Sequence, residues 1–447
     1  MKNHAVTVGM VSLGCSKNKV DAEVMLAKLS QAGYALTMDP AGADVIIVNT
    51  CGFINDAKVE SVNAILEMAE YKKGRCQALI VSGCLTARYP GELWEEIPEA
   101  DALLGVSQYP EIVSVVEKVL EGKRIRNTAL DCRLAGSPER ILTTPPWMGY
   151  LKIAEGCDNR CSFCAIPDIR GPYRSRPLEE LVEEAQWMAA QGVRELILIA
   201  QDTTRYGMDL YGAPSLPRLL EAVCQVEGIR WVRTLYCYPE MVDEALLDTM
   251  RRQEKICDYL DIPLQHCQDT ILEAMNRRSS AKQIEALMER IRSLPERFAL
   301  RTTMIVGFPG EQEDDFEALM DFVERHPFDH LGAFTYSAEE GTPAADRVDQ
   351  VDEDEKARRL DRLMQAQQAI SRRQLAGYVG ETLEVLVEEA LPGGRYVGRT
   401  RYQAPDIDGV TRFTGPQGLE PGSLVRVRIT ASREYDLEGA LEDVAGQ

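Results

Sequence analysis

Long apolar runs alternate with amphipathic segments over residues 1–130. "AVTVGMVSL", "ADVIIVNT" and "QALIVSG" are strand-length and almost wholly apolar, whereas "NKVDAEVMLAKLSQAG" and "DAKVESVNAILEMAE" between them repeat with a helical period. Strands apolar on both faces and joined by helices are βαβ units, so this region predicts a parallel α/β sheet. "SPERILTTPPW" (137–147) is rich in Pro and turn residues and marks a boundary. A second alternation then begins, with strands expected in "GYLKIAE", "ELILIAQD", "WVRTLYCY", "YLDIPLQH", "LRTTMIVG" and "HLGAFTY" and helices such as "LEELVEEAQWMAAQG" and "DDFEALMDFVERH" between them. Six successive βα units predict an open, partial parallel barrel whose sites gather at the carboxyl ends of the strands. A charged helix, "EDEKARRLDRLMQAQQAISRRQ", leads out of it. Residues 381–447 turn to short strand-like runs, "TLEVLVEEA", "RYVGRTRY" and "SLVRVRIT", broken by Gly and Pro, which predict a small antiparallel barrel. The expected domains are 1–135, 143–376 and 377–447.

Composition narrows the function classes. The formal net charge of −21 over 447 residues argues against a general polyanion binder, and no apolar run approaches the roughly 20 residues of a membrane span. "MKNHAVTVGMVSLGC" has no secretory h-region with a cleavage site, so a cytoplasmic protein is expected. Twelve cysteines in such a chain stay reduced and serve as metal ligands or core residues.

Spacing separates those two uses. "EGCDNRCSFCAIP" places Cys157, Cys161 and Cys164 as C-x3-C-x2-C directly after the first barrel strand. Three thiolates on one short loop can hold three irons of a four-iron cube and leave the fourth open to a chelating ligand. A zinc site would want a fourth ligand at matching spacing, and the nearest downstream histidine is His266. Cys15, Cys51 and Cys84 each lie just past the end of a buried parallel-strand run. They are 36 and 33 residues apart, about one βα unit of roughly 30 residues. Loops at the carboxyl ends of such strands converge, so three thiolates there can hold a second cluster with a second open iron. Cys76, Cys132, Cys224, Cys237, Cys257 and Cys267 share no pattern and are expected in the core.

The cysteine loop at the head of a βα barrel resembles the radical S-adenosylmethionine superfamily. The resemblance implies a [4Fe-4S] cluster whose open iron chelates S-adenosylmethionine, and an electron from it that cleaves the sulfonium to a 5′-deoxyadenosyl radical. Phe163 matches the aromatic position that packs on the adenine in that family. "AQDTTRYG", "PLQH" and "IVGFPGE" follow the second, fourth and fifth strands, so Gln201 and Gln265 could hold polar groups of the cofactor and Gly307 could admit a close backbone approach.

Both triads and the three-domain layout, with a TRAM-like C-terminal domain, resemble the methylthiotransferase family over essentially the whole chain. That implies two [4Fe-4S] clusters, one molecule of S-adenosylmethionine as methyl donor and another as radical source, and an electron donor such as flavodoxin or ferredoxin. "GCSKNKVDAE", "NTCGFINDAKVESV" and "SGCLTARY" look like the branch that methylthiolates the β-carbon of an aspartate in ribosomal protein S12. The alternative branch, acting on an adenosine beside the tRNA anticodon, would read closer to G-C-Q-M-N and N-T-C-S-I-R. Charge bears on the same choice, since residues 381–447 carry seven Arg, no Lys and twelve acidic residues. An RNA-binding module wants a basic footprint, while a domain recruiting a basic protein does not. Arg170, Arg174 and Arg176 are expected either to attract a substrate anion or to form a solvated loop. No acid–base residue is assigned beyond the cluster ligands, a monomer suffices, and a non-enzymatic iron–sulfur scaffold is the remaining alternative.

Overall fold

The computed structural model describes residues 6–130 and 140–442. Cys132 and the start of the expected boundary at 137–147 lie outside the described residues.

The N-terminal unit runs β1 (Thr7–Ser12), α1 (Ser16–Gln31), β2 (Ala35–Thr37), β3 (Val45–Thr50), α2 (Asn55–Glu70), β4 (Ala78–Gly83), α3 (Cys84–Arg88), α4 (Pro90–Glu96), β5 (Ala102–Leu104), α5 (Ile112–Leu120) and β6 (Ile125–Asn127). Its six parallel strands are ordered β2-β1-β3-β4-β5-β6. Alternate residues feed two cores, Val45, Ile47 and Ile80 on one face and Ile46, Val48 and Val81 on the other, which is why these strands read as unbroken apolar runs.

The central unit continues with β7 (Met148–Lys152), β8 (Ala154–Glu155), α6 (Ile166–Arg170), β9 (Arg174–Ser175), α7 (Leu178–Ala190), β10 (Glu195–Ile199), α8 (Met208–Tyr211), α9 (Leu216–Cys224), β11 (Trp231–Thr234), α10 (Glu244–Arg252), β12 (Tyr259–Asp261), α11 (Asp269–Ala274), α12 (Ala281–Arg292), β13 (Ala299–Val306), α13 (Glu313–Arg325), β14 (His330–Thr335) and α14 (Glu353–Ala376). Six parallel strands form two arcs, β7-β10-β11 and β12-β13-β14, bridged between Val232 and Ile256. The barrel is therefore open, as expected, and β8 and β9 add a small antiparallel pair beside the cysteine loop. Leu151, Leu196, Leu198 and Leu300 face the surrounding helices. The other face carries Tyr150, Ile197, Ile199, Trp231 and Tyr259, and it receives Val20 of α1 together with Leu386 and Ala404 of the C-terminal unit. The two flanking units thus cover the interior layer of the open barrel.

Five strands close the C-terminal barrel in the order β15-β16-β17-β19-β18: β15 (Thr382–Leu391), β16 (Arg395–Thr400), β17 (Thr411–Thr414), β18 (Leu424–Ser432) and β19 (Leu437–Leu441). One pairing in it, β17 with β19, is parallel. The short β17 and β19 were not foreseen, because four or five residues between Gly, Pro and Asp carry too little alternation to stand out. Arg399 docks this barrel by pairing with buried Glu195 at 2.6 Å, and Arg401 pairs with Asp258 at 3.1 Å. No helix among the described residues is long and apolar enough to cross a membrane.

Candidate functional site

β1, β3 and β4 are neighbours in one sheet, and their carboxyl ends bring Cys15, Cys51 and Cys84 together. Cys15 caps α1, Cys51 follows β3 directly, and Cys84 opens α3. The three loops touch. A Cβ on Gly14 would lie 2.9 Å from Cβ of Cys51, one on Gly52 2.8 Å from Cα of Leu85, and one on Gly83, at φ +105°, 2.4 Å from the Thr50 carbonyl oxygen. Hydrogen bonds hold the frame: the Asn18 amide donates to the carbonyls of Leu13 (3.2 Å) and Thr50 (2.8 Å), and the Ser61 hydroxyl bonds both backbone groups of Cys51.

The second triad sits on the loop between β8 and α6. Gly156 lets this loop pass under the Pro172 carbonyl, which a Cβ would approach to 2.1 Å. Cys157 N–H donates to Gly171 O, Ser162 N–H to Met275 O, and the Asn276 side chain to Arg160 O, so both ends of the loop are tied down. Tyr238 Oη lies 3.7 Å from Cys161 Sγ, and Arg277 Nη1, stacked over the Tyr238 ring, lies 3.8 Å from the same sulfur. Donors placed on a ligand sulfur tune the potential of a cluster bound there.

Burial pushes the Cys84 thiol up to about 12 and the Cys157 thiol up to about 11, and raises Cys51 and Cys164 for the same reason. Such groups stay protonated at neutral pH until a metal displaces the proton. All eleven described cysteines are free. Among the described residues no group of three or more His, Cys, Asp or Glu side chains converges enough to hold a single metal ion.

The triads are joined through Arg170. It is 1 % exposed and donates to both carboxylate oxygens of Glu155 at 2.9 Å, to Asp21 at 3.2 Å, to Asn18, and to Cys84 Sγ at 3.5 Å. Lys152 completes the group, 2.5 Å from Asp21 and 2.9 Å from Glu155. Both cations hold the Glu155 carboxyl far below its usual range despite its burial. Cys84 also packs with Ala165 and Ile169 of the segment that follows Cys164. The expectation for the arginines is corrected here: Arg170 and Arg176 are buried, Arg176 pairing with Glu184 at 2.6 Å, and Arg174 is half-buried, so they form neither a solvated loop nor an open anion site. Sequence reading also missed Asn18, Asp21, Lys152 and Glu155. A signal was present, since Lys152 and Glu155 interrupt the apolar strand "GYLKIAE", and charges in a buried strand demand partners.

A cavity of about 810 Å³ is lined by Phe53, two residues after Cys51, by Asp56 of α2, by Phe163 of the second cysteine loop, and by Gln265, Phe334 and Tyr336 from the barrel. Phe163 packs edge-on against Phe308, ring centroids 6.4 Å apart, while lining the cavity. Gln265 has φ +73°, a strained conformation fixed by its backbone bonds to Thr303 and Ile305, and its Oε1 is buried without a partner. Gln201 donates to Glu155 at 3.3 Å, and its Oε1 is likewise unpartnered. At Gly307 (φ +70°) the close neighbour is Lys356 of α14, whose Cγ a Cβ would meet at 2.3 Å. Two soft thiol triads and unpaired buried amide oxygens near a cavity fit iron–sulfur clusters and a polar, adenine-bearing cofactor.

Comparison with known proteins agrees with this geometry. Residues 151–323 match the radical SAM superfamily, residues 7–105 an uncharacterised protein family, UPF0004, and residues 379–441 the TRAM domain. The fold is similar to the radical S-adenosylmethionine methyltransferase TsrM from Kitasatospora setae, with a TM-score of 0.56 at 14% identity over 87% of this chain and 79% of that one. Fold and cysteine loops together define a radical S-adenosylmethionine enzyme that works with S-adenosylmethionine and iron–sulfur clusters. The chain is 50% identical to the ribosomal protein uS12 methylthiotransferase RimO of Pelotomaculum thermopropionicum, over 97% of its own length and 99% of the relative's. Against that of Symbiobacterium thermophilum it is 49% identical, over 97% and 90%. The chain belongs to the RimO family of methylthiotransferases.

Proposed function

We propose that this enzyme transfers a methylthio group to the β-carbon of an aspartate in ribosomal protein S12. The observation that carries the reading is the meeting of two separate cysteine triads across one domain interface, beside one cavity that both loops reach. Cys157, Cys161 and Cys164 would hold the cluster that serves S-adenosylmethionine, and Cys15, Cys51 and Cys84 the auxiliary one. When bound, the clusters would supply the electron that cleaves a sulfonium and the sulfur, and S-adenosylmethionine the methyl group.

The residues do the rest. Phe163 and Gln265 present an apolar ring and a free amide oxygen to the cavity, suited to an adenine and its polar substituents. Tyr238 and Arg277 lie against the Cys161 sulfur and help fix its position in the loop. Packing of α1 and the C-terminal barrel against the barrel interior excludes water from a reaction that must not be quenched. Both triads and the cavity come from one chain, so a monomer suffices, and a ribosomal substrate places the reaction in the cytoplasm. A small redox protein, flavodoxin or ferredoxin, would deliver the electron.

The acidic C-terminal barrel favours a basic protein over tRNA. Docking to the central unit takes two of its seven arginines, Arg399 and Arg401, and four of its twelve acids, Glu381, Glu384, Asp408 and Glu434, so the barrel keeps an acidic balance and gains no basic footprint. Anaerobic reconstitution with iron, sulfide and S-adenosylmethionine, then mass spectrometry of S12 and of tRNA, tests the substrate. A methylthio gain on an S12 aspartate is expected, and a gain on tRNA alone would reject the reading.

A further inference from the structure

Lys17 is 5 % exposed, yet among the described residues it pairs with no carboxylate. Its ammonium rests 3.2 Å from the centroid of the Tyr236 ring. A ring face offsets only part of what a buried cation loses in leaving water, so among the described residues this lysine lacks a counter-ion. The nearby acids are committed elsewhere: Asp21, one turn along, to Lys152 and Arg170, and Asp261 to Arg301 and the Tyr236 N–H.

The same turn of helix is uncompensated in two further ways. α1 has 16 residues and carries the partial positive charge of its amino end, but its first turn holds no acidic residue and Cys15 makes no side-chain capping bond. Ser16 Oγ is buried with no partner. A helix amino end, a hydroxyl and an unpaired ammonium therefore lie within two consecutive residues, all suited to an anion.

Tyr236 is held for the purpose. Its φ is +62°, its N–H donates to Asp261 at 2.9 Å, and its carbonyl accepts from Thr203 N–H at 3.1 Å. Strain of this kind survives only where the surroundings over-determine it. The location is also specific: Lys17 is two residues past Cys15, and Tyr236 is two residues before Tyr238, which touches Cys161.

We infer that the amino end of α1, through Lys17 and Ser16, binds a carboxylate between the two triads, and that this carboxylate is the side chain of the aspartate being modified. The inference rests on S12 being the substrate. A carboxylate held here would lie beside the Tyr236 ring and one helical turn or less from Cys15. The carboxylate of S-adenosylmethionine shares the chemistry, and the test separates the two.

Full-length reconstituted enzyme would be titrated with S12, with S12 carrying asparagine at the modified aspartate, and with S-adenosylmethionine. The parent enzyme is expected to prefer the aspartate form by about thirtyfold. Lys17→Met, and the more isosteric Lys17→Gln, should bind both forms equally weakly, keep their affinity for S-adenosylmethionine and keep cluster absorbance. Retention of the parent's preference in these variants would overturn the inference and leave the substrate reading intact. So would loss of affinity for S-adenosylmethionine instead. No binding of either S12 form by the parent enzyme would overturn both.

Discussion

Arg170 lies 3.5 Å from the sulfur of Cys84, although 86 residues separate them and they belong to different units of the chain. The same guanidinium grips Glu155, two residues before Cys157. One side chain thus ties the frame of each cysteine triad to the other, through a buried group in which two cations face two carboxylates.

Removing one partner from such a group leaves an uncompensated buried charge. Arg170→Met should cost about 3–5 kcal/mol of stability, read as a lower urea midpoint, and should loosen the Cys84 frame. The double variant Arg170→Met, Glu155→Gln should recover part of that loss, because it removes the orphaned carboxylate as well. An Arg170→Met enzyme with an unchanged midpoint would show that the bridge is not structural.

Gly83 is required for a steric reason. Its φ of +105° is strained for any L side chain, and a Cβ would press within 2.4 Å of the Thr50 carbonyl, a backbone atom with no room to yield. Gly83→Ala should therefore displace Cys84 and halve the iron bound per chain, while the barrel triad still loads. Iron and sulfide analysis of the reconstituted variant checks this.

His266 gives the folded enzyme a pH dependence away from the cysteines. It is fully buried, its Nδ1 accepts from Gln268 N–H at 3.1 Å, and burial pushes its pKa down to about 4. The unfolded chain binds a proton at this residue near pH 6.5, whereas the folded chain resists it until about pH 4. Between those values the unfolded state holds more protons, so stability falls as pH drops through that window, by about 3 kcal/mol in total at 1.36 kcal/mol per unit. In His266→Asn, whose Oδ1 can take the Gln268 bond, the denaturation midpoint should fall less between pH 7 and pH 5 than in the parent. Equal falls would contradict the assignment.

The pattern of apolar runs foretold the parallel N-terminal sheet and the six barrel strands, because strands buried on both faces leave an unbroken signature. The triads were legible for a related reason: thiols at equivalent strand ends must converge once the strands pair. What stayed hidden depended on contacts between distant segments. Nothing local in "RGPYRSR" tells that Arg170 is buried against α1, and nothing near Tyr238 or Arg277 announces that both reach Cys161. Gly307 was expected to admit a close approach by the cofactor, and the neighbour the structure gives it is Lys356, 49 residues away in sequence.

Divided labour between the triads is the central claim, and paired alanine variants test it most directly. Cys51→Ala and Cys161→Ala would be reconstituted anaerobically and assayed under reducing conditions for S-adenosylmethionine cleavage and for methylthio transfer to S12. Cys51→Ala should retain cleavage and lose transfer, while Cys161→Ala should lose both and still load the N-terminal triad. If Cys51→Ala transferred the methylthio group, or if Cys161→Ala still cleaved S-adenosylmethionine, the division of labour would be contradicted.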